Sequence, residues 1–109
     1  MKQSPIFVKT ETFMKWLFEH TAKFPRHERF RLAKRIDNTL FDFHKTLVFA
    51  TQSATAKQQL QQADILLNLL RTYLRLALEM GYTTPRQFKY ASEFTVEIGK
   101  MLGAWLKKA

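Results

Sequence analysis

The chain has 109 residues, enough for one domain and its own modest core. With 46% hydrophobic and 14% aromatic residues the composition is that of a folding protein. Eighteen Lys and Arg against nine Asp and Glu leave a net charge of +9, an excess that repels itself unless an anionic partner compensates it. The absence of cysteine excludes disulfides, Cys-based metal sites and a thiol nucleophile, and fits a cytoplasmic protein. The opening MKQSPIFVKTETF lacks the apolar region of a signal peptide, and no uninterrupted apolar run approaches about 18 residues, so no membrane span is expected.

Periodicity predicts helices over about residues 10–23, 25–50, 54–80 and 84–108. In the first, Thr10 is placed to cap, Glu11 follows in the first turn, and Phe13, Trp16, Leu17 and His20 recur at helical spacing. The second is expected to open at Pro25, a residue suited to the first helical position. Phe30, Ala33, Ile36, Leu40, Phe43 and Leu47 form its apolar stripe, with Arg31, Lys34, Arg35, Asn38, Asp42 and Lys45 opposite. Continuing this helix through TQSATAKQQ would give a rod about 80 Å long, so a break is expected there.

The third helix buries Leu60, Ala63, Leu67, Leu70, Leu74 and Ala77, and carries a flanking seam of Leu66, Leu69, Tyr73 and Leu76. That surface is wider than one neighbouring helix needs, which points to a place at the bundle centre or at a subunit contact. Gly81 is expected to end it in a left-handed cap. Thr84, Pro85 and Gln87 spell a capping box for the fourth helix, whose apolar face runs from Phe88 through Ile98 and Leu102 to Trp105. Four amphipathic helices joined by short turns predict an all-α, antiparallel up-down four-helix bundle.

Catalytic chemistry has little support. His44 and Asp37 fall on one side of the second helix, an acid–base pair or half a metal site on one view and a structural hydrogen-bonded pair or a polar contact at an interface on the other. No Glu has a His three residues on, as di-iron bundles require, and Gly81, Gly99 and Gly103 do not form a phosphate-binding loop. No catalytic residue, metal ligand or cofactor is therefore assigned.

Cation placement is more informative. FPRHERFRLAKRI holds Arg26, Arg29, Arg31, Lys34 and Arg35 at an expected helix start, where the dipole disfavours positive charge by about 0.3–1 kcal/mol each. An anion docking at that end offsets the cost. A polyphosphate gains further through counterion release, with weak sequence selectivity, since no base-reading motif is present. Arg71 and Arg75, one turn apart, are either a solvated stripe or guanidinium forks aimed at phosphates or carboxylates. Lys100, Lys107 and Lys108 extend the basic surface at the C-terminus. Gly99 and Gly103, four apart and followed by Trp105, suggest close approach of another backbone, inside the bundle or between subunits.

These stretches, with ADILLNLLRTYLRLALEMGYTTPRQF and IGKMLGAWLKK, resemble the accessory variability determinant (Avd) proteins of diversity-generating retroelements. That family lies in a wider group of four-helix proteins that includes those encoded by intervening sequences of bacterial 23S ribosomal RNA. The similarity covers about residues 20–108, most specifically the paired arginines, the T-P-x-Q turn and the G-x-x-L-G-x-W ending. The resemblance implies a four-helix bundle in a barrel-like, basic homopentamer. It also implies a noncatalytic partner of a reverse transcriptase that binds RNA or DNA and supports mutagenic copying of a template repeat. Alternatives are an RNA-binding protein of the ribosomal intervening-sequence type with no polymerase partner, or a basic scaffold for an acidic protein; an enzyme is the remotest.

Overall fold

The computed structural model describes residues 4–109, which form four α-helices: α1, Pro5–Thr21; α2, Leu32–Gln52; α3, Ala56–Glu79; and α4, Pro85–Lys108. α1 packs on α2 and α4, α2 on α3, and α3 on α4, so the helices follow one another around a ring. The result is an antiparallel bundle of 42 × 25 × 24 Å. Among the described residues no helix is long and apolar enough to cross a membrane.

The core is built from stripes at three- and four-residue spacing. α3 contributes all six residues of its expected seam, Leu60 to Ala77, each no more than 3% exposed. Full burial of a leucine contributes about 1.5–3 kcal/mol, so this helix anchors the bundle. α2 adds Ile36, Leu40, Phe43 and Leu47, all fully buried. α4 adds Ala91, Phe94, Ile98 and Leu102. In α1, Ile6, Phe13 and Leu17 face inward, and the Phe13 and Phe94 rings stack 4.9 Å apart.

Two connections are determined by local chemistry. The α2–α3 link is short, covering Ser53–Thr55, and breaks the helix inside the expected polar stretch. α3 ends on Gly81 at φ +80°, a conformation that costs an L-residue about 1–2 kcal/mol. The Gly81 amide donates to the Leu78 carbonyl and the Tyr82 amide to the Ala77 carbonyl, closing a Schellman motif. The α4 capping box is complete: the Gln87 amide donates to Thr84 Oγ1, and the Thr84 amide to Gln87 Oε1.

Two helix starts differ from the periodicity reading. α1 begins at Pro5, not Thr10, because Ile6 continues the apolar stripe one turn further and Pro5 occupies the first helical position. Thr10 is therefore not a cap. It is fully buried, and its hydroxyl has no hydrogen-bond partner among the described residues. α2 begins at Leu32, not Pro25. Pro25 is extended (ψ 144°), and the chain first makes a 3-10 turn over Arg26–Glu28. This turns Phe30 out of the expected core stripe; it is 78% exposed.

An unpartnered buried hydroxyl retains its desolvation cost. Thr10→Val, which replaces that hydroxyl with a methyl, is expected to raise the unfolding free energy by about 1 kcal/mol in urea denaturation; a loss of stability would contradict the unpartnered assignment.

Candidate functional site

The α1–α2 connection and the α3–α4 turn meet at one end of the bundle, and an ordered polar cluster joins them. Glu28 is 1% exposed. Arg31 grips it bidentately, Nε donating to Oε1 at 2.8 Å and Nη2 to Oε2 at 3.1 Å. The Tyr82 hydroxyl, from beyond Gly81, donates to Oε2 at 2.6 Å. The Arg31 guanidinium, then the Tyr82 hydroxyl, hold the Glu28 carboxyl down at about 2, and burial opposes them only in part. A second link lies alongside: His20 Nε2 and Thr83 Oγ1 are 2.8 Å apart, with the imidazole stacked on Trp16 at 4.9 Å. Burial, aided by Lys23, lowers the affinity of His20 for a proton.

Around this clamp six cations fall within residues 23–35, and Glu28 is the only acid in that span. Arg26, Arg29, Lys34 and Arg35 are exposed, as is Arg31 beyond its contact with Glu28. Only Lys34 and Arg35 occupy the first turn of α2, since Arg26 and Arg29 precede the helix and Arg31 holds the cap position. The dipole cost expected for five cations thus applies to two. Lys34, Arg35 and Arg31 line one wall of a groove of about 770 Å³, whose other wall is the flanking seam of α3. Leu69, Leu76 and Met80 of that wall are exposed, and Leu66 and Tyr73 half-buried. Arg26 and Arg29 line a separate cleft against α1, with Phe18 and Asp37. Asp37 accepts from the Thr21 hydroxyl at 2.7 Å, and burial raises its carboxyl above the ordinary range despite that bond.

The other cations singled out in the sequence lie elsewhere. Arg71 and Arg75 line a shallow cleft between α3 and α4. Arg75 is exposed. Arg71 is not a free fork: Nη2 donates to the Thr95 carbonyl at 2.8 Å and Nη1 to Asn68 Oδ1 at 2.7 Å. Lys100, Lys107 and Lys108 are exposed on α4, toward the opposite end of the bundle. There Trp105 packs near Phe7, with ring centroids 6.4 Å apart, above an apolar hollow that Lys108 borders.

Two pairings that the spacing allowed are absent within the bundle. His44 and Asp37 do not pair; His44 Nε2 donates to Glu11 Oε2 at 3.0 Å, tying α2 to α1, while Asp37 holds Thr21. Nor do Gly99 and Gly103 admit a neighbouring backbone within the bundle. A Cβ at Gly99 would stand 2.7 Å from Arg71 Nη2, so the glycine makes room for a side chain. At Gly103 nothing lies within 4 Å of that position. The described residues contain no group of three His, Asp or Glu able to hold a metal ion.

The fold and surface define a small basic four-helix bundle with one strongly cationic end. A family model described as bAvd-like matches residues 6–109, and the chain belongs to that family. The match takes in α1, beyond the span from residue 20 on which the motifs rest. No functionally curated protein matches the sequence. Among solved structures, the chain is similar to a protein of unknown function from the S23 ribosomal protein family of Bacteroides thetaiotaomicron. The two share 18% identity and a TM-score of 0.81, over 94% of this chain and 98% of that one. At that identity the likeness concerns the fold.

Glu28 gives the bundle an acid-sensitive lock. Its folded-state proton affinity lies below an ordinary 4.5, so its stabilising contribution is complete above that pH and is lost as pH falls toward about 2. Thermal melts of wild type and Glu28→Gln are expected to differ at neutral pH and to converge across that window; a constant gap would show that the carboxylate charge contributes nothing. In the free protomer, Gly103→Ala is expected to add up to about 1 kcal/mol through helix propensity. A weakened oligomer in native mass spectra of that variant would instead place Gly103 against another subunit.

Proposed function

We propose that this protein is a noncatalytic accessory subunit of a diversity-generating retroelement. It binds the element's reverse transcriptase and holds template RNA or cDNA through a basic surface. Its assembly is a homo-oligomer, a pentamer by family resemblance. The observation that carries the reading is the cation-rich segment 23–35, in which the single acid is consumed internally by Arg31 and Tyr82. The remaining side chains present positive charge from a braced turn, so little ordering entropy is spent when a polyanion arrives. Phosphate contacts of this kind position a strand without reading its sequence.

The polymerase or a neighbouring subunit is assigned to the α3 seam. Leu69, Leu76 and Met80 are 38–43% exposed and follow helical spacing, a pattern suited to packing against another helix. Family membership favours this reading over the ribosomal intervening-sequence alternative, which shares the bundle but needs no polymerase. The basic-scaffold alternative leaves the clustering of cations at one end unexplained.

The test is co-purification with the neighbouring reverse transcriptase, with bound RNA analysed and the assembly weighed by native mass spectrometry. The expected outcome is a complex whose RNA is released by salt. Lys34→Ala with Arg35→Ala is expected to weaken RNA retention and to flatten its salt dependence by about 0.7 for each phosphate no longer neutralised, with the melting temperature little changed. Failure to associate with either polymerase or nucleic acid at low salt would refute the proposal.

A further inference from the structure

Phe30 has no explanation in the fold. It stands 78% exposed, the most exposed of the large apolar side chains among the described residues, between Arg29 and Arg31. A residue needed only to complete a turn would not be a phenylalanine in water, because the exposed ring forgoes the burial that drives apolar residues inward. Its position is also braced. The Arg31 next to it is fixed on the buried Glu28, which in turn accepts from Tyr82, so the ring projects from a tied segment. Phe30 shares the mouth of the α2–α3 groove with Arg31, Lys34 and Arg35. Of the two acids that line that groove, Glu28 is already paired and Asp42 lies about two turns further along α2.

We infer that Phe30 is a stacking platform for an unpaired nucleotide, with Lys34, Arg35 and the exposed edge of Arg31 holding the flanking phosphates. The inference rests on the nucleic-acid reading above and deepens it by naming the form of the ligand, a single strand, and the residue that selects it. An aromatic face within a cationic groove is what binding of single strands uses. The base contributes a π surface with no demand on its identity, and the phosphates contribute charge. A duplex offers the same phosphates but keeps its bases stacked inside, so Phe30 would gain nothing from it. Charge selects nucleic acid over an apolar protein segment at this lip, because a protein occupant would have to bring several carboxylates around one aromatic contact. The leucine-rich stretch of the groove toward Leu66 has no such cations opposite it beyond Arg35, and is left to protein contacts.

The test is fluorescence anisotropy of the full-length protein with labelled oligo-U, oligo-dT and a mixed-sequence duplex, at several salt concentrations, for wild type, Phe30→Ala, Phe30→Leu and Phe30→Trp. Because Phe30 is outside the core, the alanine variant is expected to melt with wild type, and circular dichroism verifies this. The expected result is a loss of about five- to a hundredfold in single-strand affinity for Phe30→Ala, retention in Phe30→Trp, and an intermediate loss in Phe30→Leu, all with the salt slope unchanged. Duplex binding is expected to be weaker and indifferent to the substitution. Equal single-strand affinity of Phe30→Ala and wild type would overturn the platform while leaving the basic-surface reading intact. A Phe30→Ala variant that keeps oligonucleotide affinity but loses its oligomeric mass would overturn it too, and place the ring in a subunit contact. Absence of binding by wild type at low salt would instead remove the nucleic-acid reading itself.

Discussion

A buried carboxylate in a protein of charge +9 is the constraint on which the cationic end of this bundle depends. Removing a carboxylate from water is costly unless its oxygens are satisfied. Glu28 meets that condition with two guanidinium bonds and one phenolic bond, from residues more than fifty positions apart in sequence. Because Arg31 lies at the α2 cap and Tyr82 follows the α3 terminus, the same three residues tie the α1–α2 connection to the α3–α4 turn. The His20–Thr83 bond reinforces that joint from α1.

The clamp also orders the surface. A 3-10 turn bearing Arg26 and followed by Arg29 and Phe30 would otherwise be an exposed connection of high charge, and such segments resist ordering. Here the acid that neutralises part of the segment is consumed inside the protein, which leaves outward charge uncompensated. Further cations line the α3–α4 cleft and the C-terminal turn of α4. A multivalent polyanion suits such a distribution better than one small ligand does. The apolar α3 seam on the same groove adds a second kind of contact, so one face presents both cations and leucines to its surroundings.

Much of the bundle was legible from periodicity. The α3 seam from Leu60 to Ala77, the glycine cap at Gly81 and the Thr84–Gln87 capping box depend on local spacing and local hydrogen bonds, and the structure has all three. Pro25 misled because proline suits both a first helical position and an extended residue before a turn, and a short window does not separate the two. Phe30 followed as an error of register: a 3-10 turn advances the chain differently from an α-helix, so a ring aligned with the stripe by residue spacing points outward in space. Thr10 misled for a related reason, since a good capping residue in mid-helix looks like a start unless the earlier Ile6 is counted. The Gly99–Gly103 spacing was visible, but not what crosses Gly99 within the bundle, which is the Arg71 side chain from another helix.

The sequence by itself determined the helical class, the number of helices, the core stripes apart from Phe30, two of the helix boundaries at the α3–α4 turn and the cationic excess. Each of these is a property of residues within a few positions of one another, or of composition. Tertiary structure alone decided which charges are free. Glu28 is buried under the Tyr82 hydroxyl, Arg71 is committed to the Thr95 carbonyl, and His44 turns to Glu11 rather than Asp37. Those outcomes depend on which side chains from distant segments meet, and on the cost of burying a polar group without a partner, neither of which spacing along one helix can express.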